Sequence, residues 1–148
     1  MKNKISPEDY SAILMALVLD KICLINASLK VYSNIPNGGN IELDFNDKYK
    51  FVDEDKFVRF IASFTLDGKI SENDNVVKLF TVSGDYSVVY YKQSDVVVTK
   101  EFFDVFKELS LSTIVWPYFR EYIQNMVSRT GLPPFVLPSK IIAKSKKD

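Results

Sequence analysis

Three rings surround one proline in Trp116-Pro117-Tyr118-Phe119, and Arg120-Glu121-Tyr122 follow directly. Side chains of these types make apolar contacts, hydrogen bonds and ion pairs. The whole chain shares the bias. Eleven Phe, eight Tyr and one Trp in 148 residues are more than a small core needs, so part of the aromatic set is expected to line a surface. The residues that catalysis calls on are scarce. The chain has no His, which removes His-based triads, His-based acid–base catalysis and zinc sites with a His ligand. Cys23 stands alone, so neither a thiolate cluster nor an intrachain disulfide can form, and a reducing compartment is the simple reading. Glu42 and Asp44 fall on one side of a strand, where a solvated face explains them better than a catalytic pair. Gly38-Gly39 reads as a turn and lacks phosphate-loop spacing. Counting alone leaves room for a carboxylate site for calcium or magnesium, but no metal, no cofactor and no enzyme activity are expected.

Charge and hydropathy narrow the partners. The formal net charge is +0, which argues against nucleic acid or an anionic membrane as the main partner. No apolar run approaches the ~18 residues of a membrane span. The run Ile13 to Leu19 is closed by Asp20 and Lys21, and Glu8 and Asp9 interrupt the basic residues before it. A cleaved secretory signal is therefore the lesser reading, and a cytoplasmic location is expected.

The elements that position these residues follow from periodicity. Ser6-Pro7-Glu8-Asp9 reads as a capped helix start, and Tyr10, Ile13, Leu14, Leu17 and Val18 continue at helical spacing to an end near Lys21. Cys23, Ile25, Ala27, Leu29 and Val31 then alternate and predict a strand with all five on one side. Pro36 to Asn40 is a turn signal. Ile41, Leu43, Phe45, Tyr49 and Phe51 face one way from a second strand, broken by Asp53-Glu54-Asp55. Val58, Phe60, Ala62, Phe64 and Leu66 form the apolar face of a third, and a polar hairpin connection at Ser71 to Asn75 leads into a fourth from Val76 to Tyr91. Gly84 is expected to mark a bulge or bend. After Thr99 the period changes to that of helices. A short helix over Lys100 to Leu109 presents Phe102, Phe103, Phe106 and Leu109. A second over Thr113 to Arg129 carries Pro117 near its start and ends before Gly131. Strands grouped together with helices after them predict an α+β domain: a four-stranded antiparallel sheet with helices packed on one face, preceded by an N-terminal amphipathic helix. Residues 1–148 read as one domain, with helix within 1–21 and a flexible basic tail over 139–148.

The stretch Trp116 to Arg129, followed by Thr130-Gly-Leu-Pro-Pro-Phe-Val-Leu-Pro138, resembles the signature of the SecB protein-export chaperone family. The matching positions are Trp116, Pro117, Tyr118, Arg120, Glu121, Ser128, Arg129, Pro133 and Pro134. The preceding strands agree with the family in number and order, so the resemblance covers residues 28 to 138 and is strongest at the C-terminal end. It implies ATP-independent holding of non-native polypeptide in long hydrophobic grooves by a homotetramer built as a dimer of dimers. Clients would be preproteins or an antitoxin, since the N-terminal helix and the proline-rich exit are similar to SecB-like chaperones of toxin–antitoxin systems. Three departures weigh against the export ATPase SecA as receiver: the chain is neutral where exporters are acidic, the Pro36 to Asn40 loop is shorter and less aromatic, and Lys140, Lys144, Lys146 and Lys147 stand where an acidic tail would be.

From this reading the candidate polypeptide-binding residues are Ile35, Phe102, Phe106, Val115, Trp116, Tyr118, Phe119 and Phe135. Each has a plain alternative as core, because an aromatic at helical spacing is more often buried than ligand-binding. Arg120, Glu121 and Tyr122 are candidates for a structural or subunit-interface role. An adaptor or structural protein of the same fold, binding one fixed partner segment, is the competing function.

Overall fold

In the computed structural model the described residues are 4–32, 41–72, 74–132 and 137. Ile35, Phe135, the turn at Pro36 to Asn40, the proline pair Pro133-Pro134 and the basic tail lie outside them.

Helix α1 spans Pro7–Met15 and starts as its sequence directs, with Ser6 Oγ accepting from the Asp9 backbone N–H at 3.1 Å. It stops earlier than its periodicity predicts. Leu17 to Leu19 instead open strand β1, Leu17–Val31, and pair with Lys92 to Tyr90. Leucine and valine fit either state, and the ladder offered by a neighbouring strand decides the matter. Tyr10 fixes α1 to the rest of the fold by stacking on Phe102, ring centroids 4.9 Å apart.

Three further strands complete one antiparallel sheet: β2, Glu42–Asp53; β3, Phe57–Glu72; and β4, Asn75–Lys92. Their order is β1-β4-β3-β2, so the first two strands in sequence form the two edges. The even-numbered positions of β3 and β4 point to one side. Val58, Phe60, Ala62, Phe64 and Leu66 on β3 are buried there, as the alternation predicts, and Phe80, Val82, Tyr86, Val88 and Tyr90 join them from β4. Gly84 is not a bulge; it pairs in register with Ala27 and Phe64. The register shifts fall elsewhere. Two lie in β1, between Leu19 and Lys21 and between Leu24 and Asn26, and one lies between Gly68 and Lys69 of β3.

The helical layer covers this apolar side. Helix α2, Lys100–Phe106, is capped by Thr99. It runs through a π-helical turn, Lys107–Leu111, into α3, Ser112–Val127, where two separate helices were expected. The turn has a simple cause. Phe102, Phe106, Leu111, Val115, Phe119, Ile123 and Val127 are all buried, and each follows the last by four residues except Leu111, which follows Phe106 by five. A wider turn absorbs the extra residue and keeps one stripe on the sheet. It also puts Leu109 outside, 67 % exposed, where an apolar stripe had been expected.

At the end of the sheet where α2 begins, the Lys92 ammonium is buried against the Asp53 carboxylate at 2.5 Å and donates to the Glu54 carbonyl at 2.7 Å. Asp53 also accepts from the Val98 backbone N–H at 3.1 Å. The acidic triplet that breaks β2 therefore also ties it to β4 and to the entry of the helical layer.

Candidate polypeptide-binding trough

The two halves of the helical layer's footprint differ. Toward β2, aromatic rings close the gap between sheet and helix. Phe45 lies edge-on to Trp116 at 5.2 Å and contacts Phe64 and Phe119, while Phe51 meets Phe103 at 4.6 Å. Toward β1 the covering stops at α3.

What β1 presents there depends on its two register shifts. Residues opposed across a ladder share a face of the sheet. Leu19 opposes Tyr90, Ile22 opposes Val88, Leu24 opposes Tyr86, Ala27 opposes Gly84, Leu29 opposes Val82 and Val31 opposes Phe80. All six β1 residues thus lie on the helix side, and all six are apolar. Each one-residue shift reverses which parity faces inward, so Cys23 falls on the opposite face, across from Ser87, and is exposed there. The predicted single-sided row from Cys23 to Val31 is corrected accordingly. Among the described residues α3 does not extend over this row: Leu19 and Leu24 stay 45 % exposed and Val31 47 %, while Ile22 and Leu29 pack partly against the core. A half-exposed apolar row of this kind makes β1 a candidate interaction surface.

The opposite wall is the flank of α3. Tyr118, Glu121, Tyr122 and Asn125 face Ile22, Leu24 and Tyr86 across a cleft of ≈ 280 Å³. Positions 118, 121, 122 and 125 recur at three and four residues and so line one helix flank, beside the stripe that enters the core. Tyr86 forms the floor. Burial, followed by the nearby Tyr122 and Glu121, pushes its phenol above the ordinary value, and burial raises Tyr122 as well. Both hydroxyls therefore keep their protons at neutral pH. Among the described residues Glu121 is the charged one lining the cleft.

The predicted binding residues divide on this geometry. Tyr118 is 47 % exposed and lines the cleft. Phe102, Phe106, Val115, Trp116 and Phe119 are sealed in the core of the protomer, each at most 4 % exposed. They hold α2 and α3 on the sheet and offer no groove surface in this state, which is the plain alternative that their helical spacing left open. Arg120 is half-buried and Glu121 exposed, and successive residues on a helix point about 100° apart, so only Glu121 reaches the cleft. Among the described residues neither makes an ion pair within the chain. Ile22, Leu24, Tyr86 and Asn125 escaped the sequence reading. The row on β1 is spaced three, two, three, two, two, which matches no regular period.

An antiparallel sheet carrying helices on one face, with the first strand at the edge beside the fourth, defines an α+β class of protein. No family model and no curated protein matches the sequence. Solved structures do. A SecB-like chaperone of Mycobacterium tuberculosis, determined in complex with a peptide from an antitoxin, superposes with a TM-score of 0.76 at 15 % identity, covering 93 % of this chain and 99 % of that one. A protein of unknown function from Streptococcus agalactiae matches more distantly, at a TM-score of 0.48 and 12 % identity, covering 82 % and 96 %. The chain has the SecB-like fold, as its C-terminal signature implied. Among the described residues no helix is long and apolar enough to cross a membrane.

Proposed function

We propose that the protein is a SecB-like chaperone that holds apolar segments of other polypeptides along the trough between β1 and α3, without nucleotide. The observation that carries this reading is the half-exposed apolar row of β1 beside an aromatic helix flank. Burying one client side chain contributes roughly 1.5–3 kcal/mol before the cost of ordering. At ≈ 280 Å³ the cleft is slightly smaller than ligand pockets, which span roughly 300–1,000 Å³. It therefore suits a single anchoring side chain, and useful affinity requires several contacts along the row. Burial of apolar area is not directional, so many sequences qualify.

The antitoxin peptide held by the structural relative supports a second reading of the same trough, in which one dedicated partner segment is the client. The outer sheet face mixes Lys48, Lys50 and Arg59 with Glu42 and Asp44, which supports client holding more than handover from an acidic face to SecA. A tetramer built as a dimer of dimers would join several troughs and add avidity; light scattering measures it. The deciding experiment follows aggregation of a chemically unfolded protein with and without the chain, alongside binding to a peptide array. Slowed aggregation with broad apolar binding supports the general chaperone, and a single tight hit supports the dedicated partner. No effect in either assay defeats both.

A further inference from the structure

Tyr86 carries a hydroxyl that no described residue of the chain pairs with. The residue is 3 % exposed, and among the described residues its Oη makes no hydrogen bond. Its ring is fixed by the core, edge-on to Phe119 at 6.5 Å and tilted against Phe64 at 6.3 Å, while Leu24 stands opposite on β1. Tyr86 lines the floor of the cleft under the flank of α3 that bears Glu121 and Tyr122, and its Oη is itself buried in the free protein. Gly84, two residues before it on the same face, keeps that floor low; a Cβ there would stand 3.3 Å from the Tyr86 ring and 3.4 Å from Leu24 Cδ1. A buried hydroxyl without a partner is costly, and folded proteins rarely keep one unless it has another use.

We infer that Tyr86 is the polar anchor of the trough, donating its hydroxyl hydrogen to a main-chain carbonyl of the bound segment. This rests on the proposed polypeptide-binding role and specifies its chemistry. The hydroxyl is a donor, so the occupant brings an acceptor. A main-chain carbonyl is the one acceptor every polypeptide carries at each residue, and it suits a site whose walls accept many side chains. Seating it beside Leu24 sets the register of the segment and gives an otherwise undirected apolar contact a fixed point. Because the hydroxyl is buried in the free protein, the bound carbonyl reaches it only when the cleft wall carrying Glu121 and Tyr122 gives way.

The test uses the full chain and a fluorescently labelled peptide with Leu and Phe at alternate positions, read by anisotropy. Tyr86→Phe removes only the hydroxyl. It is expected to leave the free protein at least as stable in thermal unfolding while weakening the peptide roughly three- to tenfold, the usual range for one net hydrogen bond. Replacing peptide amides one at a time by esters, which weakens the carbonyl acceptor, is expected to lower wild-type affinity at one position, and that loss disappears in Tyr86→Phe. Unchanged affinity in Tyr86→Phe overturns the inference. So does a fall in its free-protein stability, which would mean that the hydroxyl is already paired before binding. Leu24→Asp separates the two levels of the argument. If it abolishes binding while Tyr86→Phe does not alter it, only the anchor is lost. If the wild type binds no such peptide, or Leu24→Asp binds it equally well, the trough and its anchor fall together.

Discussion

Single residues set tight local conditions in this fold. Gly68 sits at a register shift of β3 against Phe80, and a Cβ there would come within 2.2 Å of the Phe80 ring, which is fully buried. The ring has nowhere to go, so Gly68→Ala should destabilise the protein by about 1–3 kcal/mol, the cost of overpacking a filled core, read as a lower urea midpoint at unchanged slope. The buried tyrosines set an alkaline limit. Burial raises Tyr49, Tyr86 and Tyr90 above the ordinary phenol value of 10.0, and the Asp47 carboxylate adds to the effect at Tyr49. The folded chain therefore keeps protons that the unfolded chain releases. Stability is unaffected by these groups below pH 10 and falls as pH rises beyond it. Urea midpoints measured at neutral and strongly alkaline pH should show that loss, and Tyr86→Phe should lessen it.

At the scale of elements, the helical layer is governed by one stripe. Phe102, Phe106 and Leu111 keep to the sheet because the π-helical turn takes up one residue. Deleting the exposed Leu109 should let that turn relax to an α-helix with the stripe intact, leaving the fold and most of its stability. Inserting one Ala after Phe119 should be severe, because it rotates Ile123 and Val127 about 100° out of the core and forfeits roughly 1.5–3 kcal/mol for each. Circular dichroism with thermal unfolding compares the two variants. Near-equal destabilisation would show that the stripe does not govern the layer. The elements also differ in what their sequences disclose. β2, β3 and β4 alternate plainly because their ladders stay in step over the stretches that matter, and Thr99 and Ser6 announce helix starts. β1 does not, because a shift at Asp20 and another at Ile25 leave no mark in residue type; both follow from pairing with a particular β4.

At the scale of the molecule, the candidate trough arises because, among the described residues, α3 packs over β3 and β4 and leaves much of the β1 row exposed. Leu24 is 45 % exposed, so Leu24→Asp should change stability by less than about 1 kcal/mol while abolishing suppression of aggregation. The pair of measurements matters: loss of activity through unfolding would not locate the site. Among the described residues, Tyr118 is the one predicted binding residue that lines the cleft. Trp116 and Phe119, its neighbours in the signature, point into the core because a helix shares a short motif among several faces.

Composition and spacing alone fixed the broad outline: an antiparallel sheet of four strands, helices following them, a chain without histidine chemistry and rich in rings. They also carried the C-terminal pattern that resembles SecB. Tertiary structure decided which rings are buried, where α1 ends, and which side of β1 faces the helices. The physical reason is that periodicity records a preference to be covered, while actual covering depends on which element lies across which, and a single unpaired residue in a strand reverses its faces without altering its composition.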